Sequence, residues 1–224
     1  WHMPNPPIDI ETNEEARFQY RKARTEAENA KKKYERSMHV KTTATLEVAR
    51  KFKDKEKFFL PWSFDYRGRA YPIPSYLTPH DTDFGKSLLR AAEESFMTHE
   101  AEDWLRFQVA TTYGLDKKPM ADRLQWAKDN VTLISAVATD PIGNLSQWEN
   151  ADEPWQFLAA CEEYYACVVA CTRQFTGLFV AVDATCSGLQ ILAGLARDKG
   201  TAALVNVIPS DKPQDAYRSV LEAM

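Results

Sequence analysis

The stretch Leu178–Asp198, LFVAVDATCSGLQILAGLARD, decides how the chain is read. Leu178 to Val182 is an unbroken apolar run that follows Gly177, the pattern of a buried strand. After Thr185-Cys186-Ser187-Gly188, the residues Leu189, Leu192 and Leu195 recur at helical spacing. Asp183 therefore stands where a strand leaves the core and a helix is about to begin. A carboxylate in that position is costly to desolvate, so it faces a partner, a metal or a cleft.

Downstream, Ala202 to Ile208 (AALVNVI) reads as a second strand, Pro209-Ser210-Asp211 as a turn with capping residues, and Pro213 onward as a helix. Upstream, helical patterns dominate. Lys86–Phe96 reads as a short helix. Thr98 is placed to cap a helix reaching Tyr113, with Glu100 and Asp103 in its first turn. Met120, Leu124, Ala127, Val131, Ile134 and Ala138 mark one amphipathic helix. Pro154 opens another, through Phe157, Cys161, Tyr165 and Val168. The fold class is α+β, a mainly helical part followed by strand, helix, strand and helix.

Charge is uneven along the chain. The first 57 residues hold 14 basic and 10 acidic side chains, the remainder 14 and 22. An N-terminal segment of that kind suits a place near phosphates, and equally a solvated helix pair. Thin stripes at Ala23, Ala27, Ala30 and Tyr34, then at Val40, Ala44, Val48 and Phe52, suggest two helices broken near Ser37–Thr43. The first ten residues carry three prolines and read as an extended arm. Cys161, Cys167 and Cys171 match no common zinc spacing, so buried free thiols in a reducing compartment are expected. No signal peptide and no apolar run of membrane-spanning length are evident.

Phe58 to Pro79, FFLPWSFDYRGRAYPIPSYLTP, interleaves aromatics with Asp65, Arg67 and Arg69. Two arginines separated by one residue share a face if the backbone is extended, and Gly68 between them allows a positive φ. Guanidinium groups beside rings suit phosphate and base contacts. The alternative is a loop in which Asp65 pairs with an arginine and the rings fill a core.

For Asp183 three roles stand open. Cys186 or Ser187 as a nucleophile beside it lacks the Gly-x-Ser-x-Gly elbow. A structural strand-end carboxylate is the second role. The third is Mg²⁺ ligation, which favours carboxylate oxygen and leaves room for water and phosphate.

Three blocks, in order, resemble the single-subunit DNA-directed RNA polymerases of bacteriophages and their relatives in mitochondria and chloroplasts. Phe64-Asp65-Tyr66-Arg67-Gly68-Arg69-Ala70-Tyr71 is similar to the family's Asp-x-x-Gly-Arg element at the palm entrance. Val182 through Gln190 resembles palm motif A, and Val205 through Ser210 with Gln214-Asp215-Ala216-Tyr217 resembles the segment after it.

The resemblance implies that Asp183 is the first of two catalytic, metal-binding aspartates, and that the Ala184 backbone carbonyl also ligates Mg²⁺. It implies nucleic-acid contacts at Arg67 and Arg69, stacking at Tyr66, and Tyr217 beneath the nucleotide. Gly188 stands where related DNA polymerases carry a glutamate that excludes the ribose 2′-hydroxyl. Ala184 and Ile191 replace the family's usual glycine and histidine.

The expected function is template-directed RNA synthesis by two-metal nucleotidyl transfer, with a DNA template, RNA product and ribonucleoside triphosphates as partners. The resemblance further implies a charged helical segment at 1–57 on the thumb side and, at 58–224, the first part of a polymerase palm. The chain would end before the fingers and the second aspartate, leaving it inactive alone and part of a monomeric parent. Compact spacing and the absent targeting segment favour a phage protein in the host cytoplasm over an organellar one. A DNA polymerase fragment and a non-catalytic nucleic-acid-binding domain are the alternatives.

Overall fold

Two compact units divide the chain, Trp1–Asp81 and Thr82–Met224, in a computed structural model that describes residues 3–182, 186–210 and 214–223. Helices predominate, with two small antiparallel strand pairs, so the α+β class holds in this coarse form. Among the described residues no helix is long and apolar enough to cross a membrane.

The first unit is built on α1, Glu14–Phe52. Asn13 caps it by accepting the Ala16 N–H, and Glu14 and Glu15 complement the helix dipole. The expected break near Ser37–Thr43 is absent. No Gly or Pro interrupts residues 14–52, and ion pairs at Arg24–Glu28 and Lys31–Glu35 support the exposed turns. Thr45 is the buried residue of α1; its hydroxyl donates to Asp81, which also accepts the Leu77 N–H and pairs with Lys41 at 3.2 Å. The hairpin β1 (Trp62–Phe64) and β2 (Ala70–Pro72) completes the unit, with Ser63 opposite Tyr71.

In the second unit a helical core forms around Leu105, Val109, Ile134, Val137, Phe157 and Cys161. The contributing helices are α3 (His99–Ala110), α4 (Met120–Asp129), α5 (Val131–Thr139) and α6 (Pro154–Tyr164), with α2 (Asp83–Ser87) packed on α6. Thr98 caps α3 and Pro154 opens α6, as the sequence suggests. The single helix expected over Met120–Ala138 divides at Asn130, whose side chain turns back to donate to the Trp126 carbonyl. Instead of a helix over Lys86–Phe96, α2 is followed by β3 (Ser95–Phe96), which pairs with β4 (Phe175–Thr176).

After α3 the chain widens into a π-type turn, Thr111–Leu115, where Gly114 takes φ +130°. Arg123 closes it, donating to the carbonyls of Lys118 and Asp116 and to the Thr111 hydroxyl, with its guanidinium over the Phe107 ring. A second such turn, Tyr165–Val169, follows α6. Cys161 and Cys167 are buried as expected, while Cys171 is exposed in a left-handed residue just beyond that turn.

The strand-helix-strand-helix ending is corrected at both strands. Among the described residues Leu178 to Val182 joins no ladder: pairing stops at Thr176 and two of its N–H groups bond to side chains. The expected second strand, Ala202–Ile208, is instead the end of α8 (Lys199–Leu204) and its termination. Asp198 caps that helix through the Gly200 and Thr201 N–H groups. Asn206, at φ +61°, reverses the chain so that Val207 and Ile208 donate back to the Ala202 carbonyl. The two helices expected here are present as α7 (Ser187–Ala196) and α9 (Ala216–Ala223).

Candidate functional site

Asp65 organises the turn between β1 and β2. Its carboxylate accepts the backbone N–H groups of Arg67 and Arg69, at 2.9 and 3.0 Å, and the Arg67 guanidinium at 2.8 Å. Gly68 sits between them at φ +81°, where other residues are strained, and donates its N–H to the Asp65 carbonyl. The Arg69 N–H foremost, then Arg67 and Tyr71, hold the Asp65 carboxyl below its ordinary value.

Arg67 and Arg69 thus lie in a tight turn, not the extended backbone assumed for a shared face. Arg67 is committed to Asp65, as the structural alternative anticipated, while Arg69 makes no side-chain ion pair among the described residues. The rings do not form a core. Tyr66 is 96% exposed with the Arg67 guanidinium 5.7 Å from its centroid, Phe64 is exposed, and Trp62 and Tyr71 both stand edge-on to His80. Tyr66, Arg67 and Arg69 therefore present a stacking surface and cationic groups on one small turn.

The same unit carries a basic groove that sequence reasoning did not single out. Lys33, Arg36, Ser37, Val40, Lys41 and Tyr76 line a concavity of about 440 Å³. Its signal was available in the helical spacing of Lys33, Arg36 and Lys41 along an unbroken helix.

In the second unit, buried side chains guide the segment that ends at Val182. Gln108 of α3, 2% exposed, accepts the Ala181 N–H. Glu163 of α6 accepts the Thr176 hydroxyl and the guanidinium groups of Arg90 and Arg173, all at 2.7 Å. Burial pushes the Glu163 carboxyl up, but these donors outweigh it and leave its pKa below the ordinary value. Neither Gln108 nor Glu163 was anticipated; the one available signal was a polar group on a helix face otherwise turned to the core.

Asp183 and Ala184 lie outside the described residues, and so does any geometry for the metal-ligand reading. A carboxylate and a peptide carbonyl are hard oxygen donors of the kind Mg²⁺ takes. Among the described residues no group of three or more His, Cys, Asp or Glu side chains gathers to hold a metal ion.

Two residues beyond Ala184, Cys186 adopts φ +58° and opens α7. Gly188 is exposed in its first turn, and a Cβ added there would meet nothing within 4 Å. Gln190 donates to the Val205 carbonyl at 2.7 Å, tying α7 to the end of α8. Asn206 then bonds Gln214 twice, donating to its carbonyl at 2.8 Å and accepting its N–H at 2.6 Å. Asp215 caps α9 through the N–H groups of Tyr217 and Arg218, and the Tyr217 ring is largely exposed. A chain of polar contacts therefore joins the segment of Gly188 to that of Tyr217. Asn206 was legible as the one polar residue in an apolar run that tolerates a left-handed backbone.

The DNA-dependent RNA polymerase family matches residues 96–224. The chain is 36% identical over 177 residues to the mitochondrial DNA-directed RNA polymerase of Neurospora crassa, covering 78% of this chain and 12% of that protein. It is 34% identical over 220 residues to the DNA-directed RNA polymerase of Enterobacteria phage T3, covering 98% of this chain and 24% of that one. To the chloroplastic DNA-directed RNA polymerase 3 of Nicotiana sylvestris it is 34% identical over 188 residues, covering 82% and 19%. The chain thus spans between 12% and 24% of the length of these curated relatives. Mitochondrial and chloroplastic relatives stand beside phage ones at similar identity, which overturns the preference for a phage protein in the cytoplasm of an infected host. With the match covering more than half of its residues, the chain belongs to the DNA-dependent RNA polymerase family.

Proposed function

We propose that this chain is the part of a longer DNA-directed RNA polymerase that supplies its first catalytic aspartate and one surface for the template and product strands. The observation that carries this reading is the family match over residues 96–224, a span that contains Asp183, Gly188 and Tyr217. DNA template, RNA product and ribonucleoside triphosphates are the partners, and the incomplete metal site leaves this chain inactive without the remainder of the polymerase.

The Asp183 carboxylate and the Ala184 carbonyl would hold Mg²⁺. When bound, Mg²⁺ makes a hydroxyl a better nucleophile and neutralises charge on a triphosphate. Gly188 leaves open the space that a side chain would occupy, which suits a ribose bearing its 2′-hydroxyl. Tyr217, on a helix anchored to the same polar chain, lies beneath the nucleotide. Tyr66 stacks on a template base, and Arg67 and Arg69 contact phosphates. The groove that Lys33 and Arg36 line adds further cationic surface for a nucleic-acid backbone.

Asp183→Asn in the full-length polymerase tests the assignment. Extension of a primed template should fall to background while duplex binding stays near normal. Near-normal extension would remove the metal-ligand role. Intact binding in a wild-type enzyme that never extends would favour a non-catalytic domain, and preference for deoxyribonucleotides would favour a DNA polymerase.

A further inference from the structure

Among the described residues, the segment that leads into Asp183 is held by side chains and not by a ladder. Upstream of it the backbone is still anchored conventionally: Met97 N–H donates to the Gln174 carbonyl at 2.9 Å and Ala91 N–H to the Gly177 carbonyl at 2.8 Å. A Cβ at Gly177 would come within 2.9 Å of the Ala91 carbonyl oxygen, so the approach depends on glycine. Beyond Gly177 this pairing ends and two polar side chains take over.

Thr176 is the first. Its hydroxyl donates to Glu163 at 2.7 Å and at the same oxygen accepts the Leu178 N–H at 3.3 Å. The hydroxyl thereby relays a buried carboxylate to the backbone of the outgoing segment. Glu163 is itself fixed by Arg90 and Arg173, and Glu94 braces both arginines, so the anchor has little freedom to move. Gln108 is the second, taking the Ala181 N–H at 3.3 Å from the buried face of α3. The two points of restraint lie at Leu178 and Ala181, five and two residues before Asp183.

We infer that Thr176, backed by Glu163, and Gln108 form a two-point clamp whose task is to aim the segment carrying Asp183. They are positioning residues: neither touches substrate, and each acts through the backbone of residues 178–182. The inference rests on the reading of Asp183 as a catalytic carboxylate. Placement to a fraction of an ångström is what such a group requires, and two polar side chains hold the backbone that leads to it.

The experiment uses the full-length polymerase with Thr176→Val, Thr176→Ser and Gln108→Leu. Valine keeps the shape of threonine and removes the hydroxyl, while serine keeps the hydroxyl. Thr176→Val and Gln108→Leu should each lower kcat for single-nucleotide extension about five- to tenfold, with KM for the nucleotide and the melting temperature nearly unchanged. Amide exchange read by mass spectrometry should quicken across residues 178–182 and not elsewhere. Thr176→Ser should restore both readouts to within about twofold of wild type.

Equal behaviour of the valine and serine variants, or a loss of kcat that follows a fall in melting temperature, would overturn the clamp. Asp183→Asn run alongside separates the two readings. If it is inactive while Thr176→Val extends and exchanges like wild type, the clamp alone is wrong. If it extends normally, both readings fall.

Discussion

The two arginines of the hairpin turn differ in what their charge is free to do. Arg67 lies against the Asp65 carboxylate, so a phosphate must compete for it, whereas the Arg69 guanidinium makes no ion pair among the described residues. The Arg69 backbone N–H nevertheless helps hold Asp65, and that contact survives truncation of the side chain. Arg69→Ala should therefore leave the turn folded, weaken binding to a primed template in the full-length polymerase, and lower the salt slope of log K by about one phosphate contact. Binding titrations at several salt concentrations provide the check. An unchanged slope would return Arg69 to a purely structural role.

At the scale of elements, ends and their caps account for much of the architecture. The first turn of α6 is capped by a residue far away in sequence: Asp83 accepts the Trp155 and Gln156 N–H groups at 2.8 and 3.0 Å, and the Gln156 side-chain amide. That contact also fastens α2 to α6, where Phe84 stands edge-on to Trp155. Asp83→Ala should cost about 1 kcal/mol of stability, as loss of an N-cap typically does, read from urea or thermal unfolding. Local caps such as Thr98 and Pro154 could be read from sequence because cap and helix are neighbours. Asp83 could not, since its helix begins 71 residues later. The apolar run before Asp183 misled for a related reason: five apolar residues show that a segment can be buried, and not whether a strand lies beside it to pair with. At Ala202–Ile208 the cap at Asp198 and the reversal at Asn206 overrode β-branched composition. In the turn Asp65-Tyr66-Arg67-Gly68-Arg69, the Asp65–Arg67 pair and the positive φ at Gly68 were legible because those features are local. Glu163 and Gln108, which hold the segment before Asp183, were not legible, because they meet partners up to 73 residues distant.

For the whole chain, acid is the informative stress. Glu163, with its pKa depressed in the folded state by Arg90, Arg173 and Thr176, contributes stability that is present above the unfolded value of about 4.3. That contribution is lost progressively as pH falls through 4.3 and on through the lower folded value, because the unfolded chain takes up the proton first. Glu163→Gln should lower the melting temperature at pH 7, where the arginines lose their counter-charge, and flatten the melting temperature's dependence on pH between about 5 and 3. Curves that stay parallel through that range would show that Glu163 is not a source of the acid sensitivity. Mechanics enters through α1, whose buried attachment is Thr45 on Asp81. Glu14 lies 31 residues from this pivot, about 46 Å along the axis, so a tilt of about 10° sweeps it through about 8 Å. At Lys33, about 18 Å out, the same tilt moves the backbone only about 3 Å. On a helix of this length, any change of angle at Thr45 therefore counts far more at Glu14 than at the basic groove.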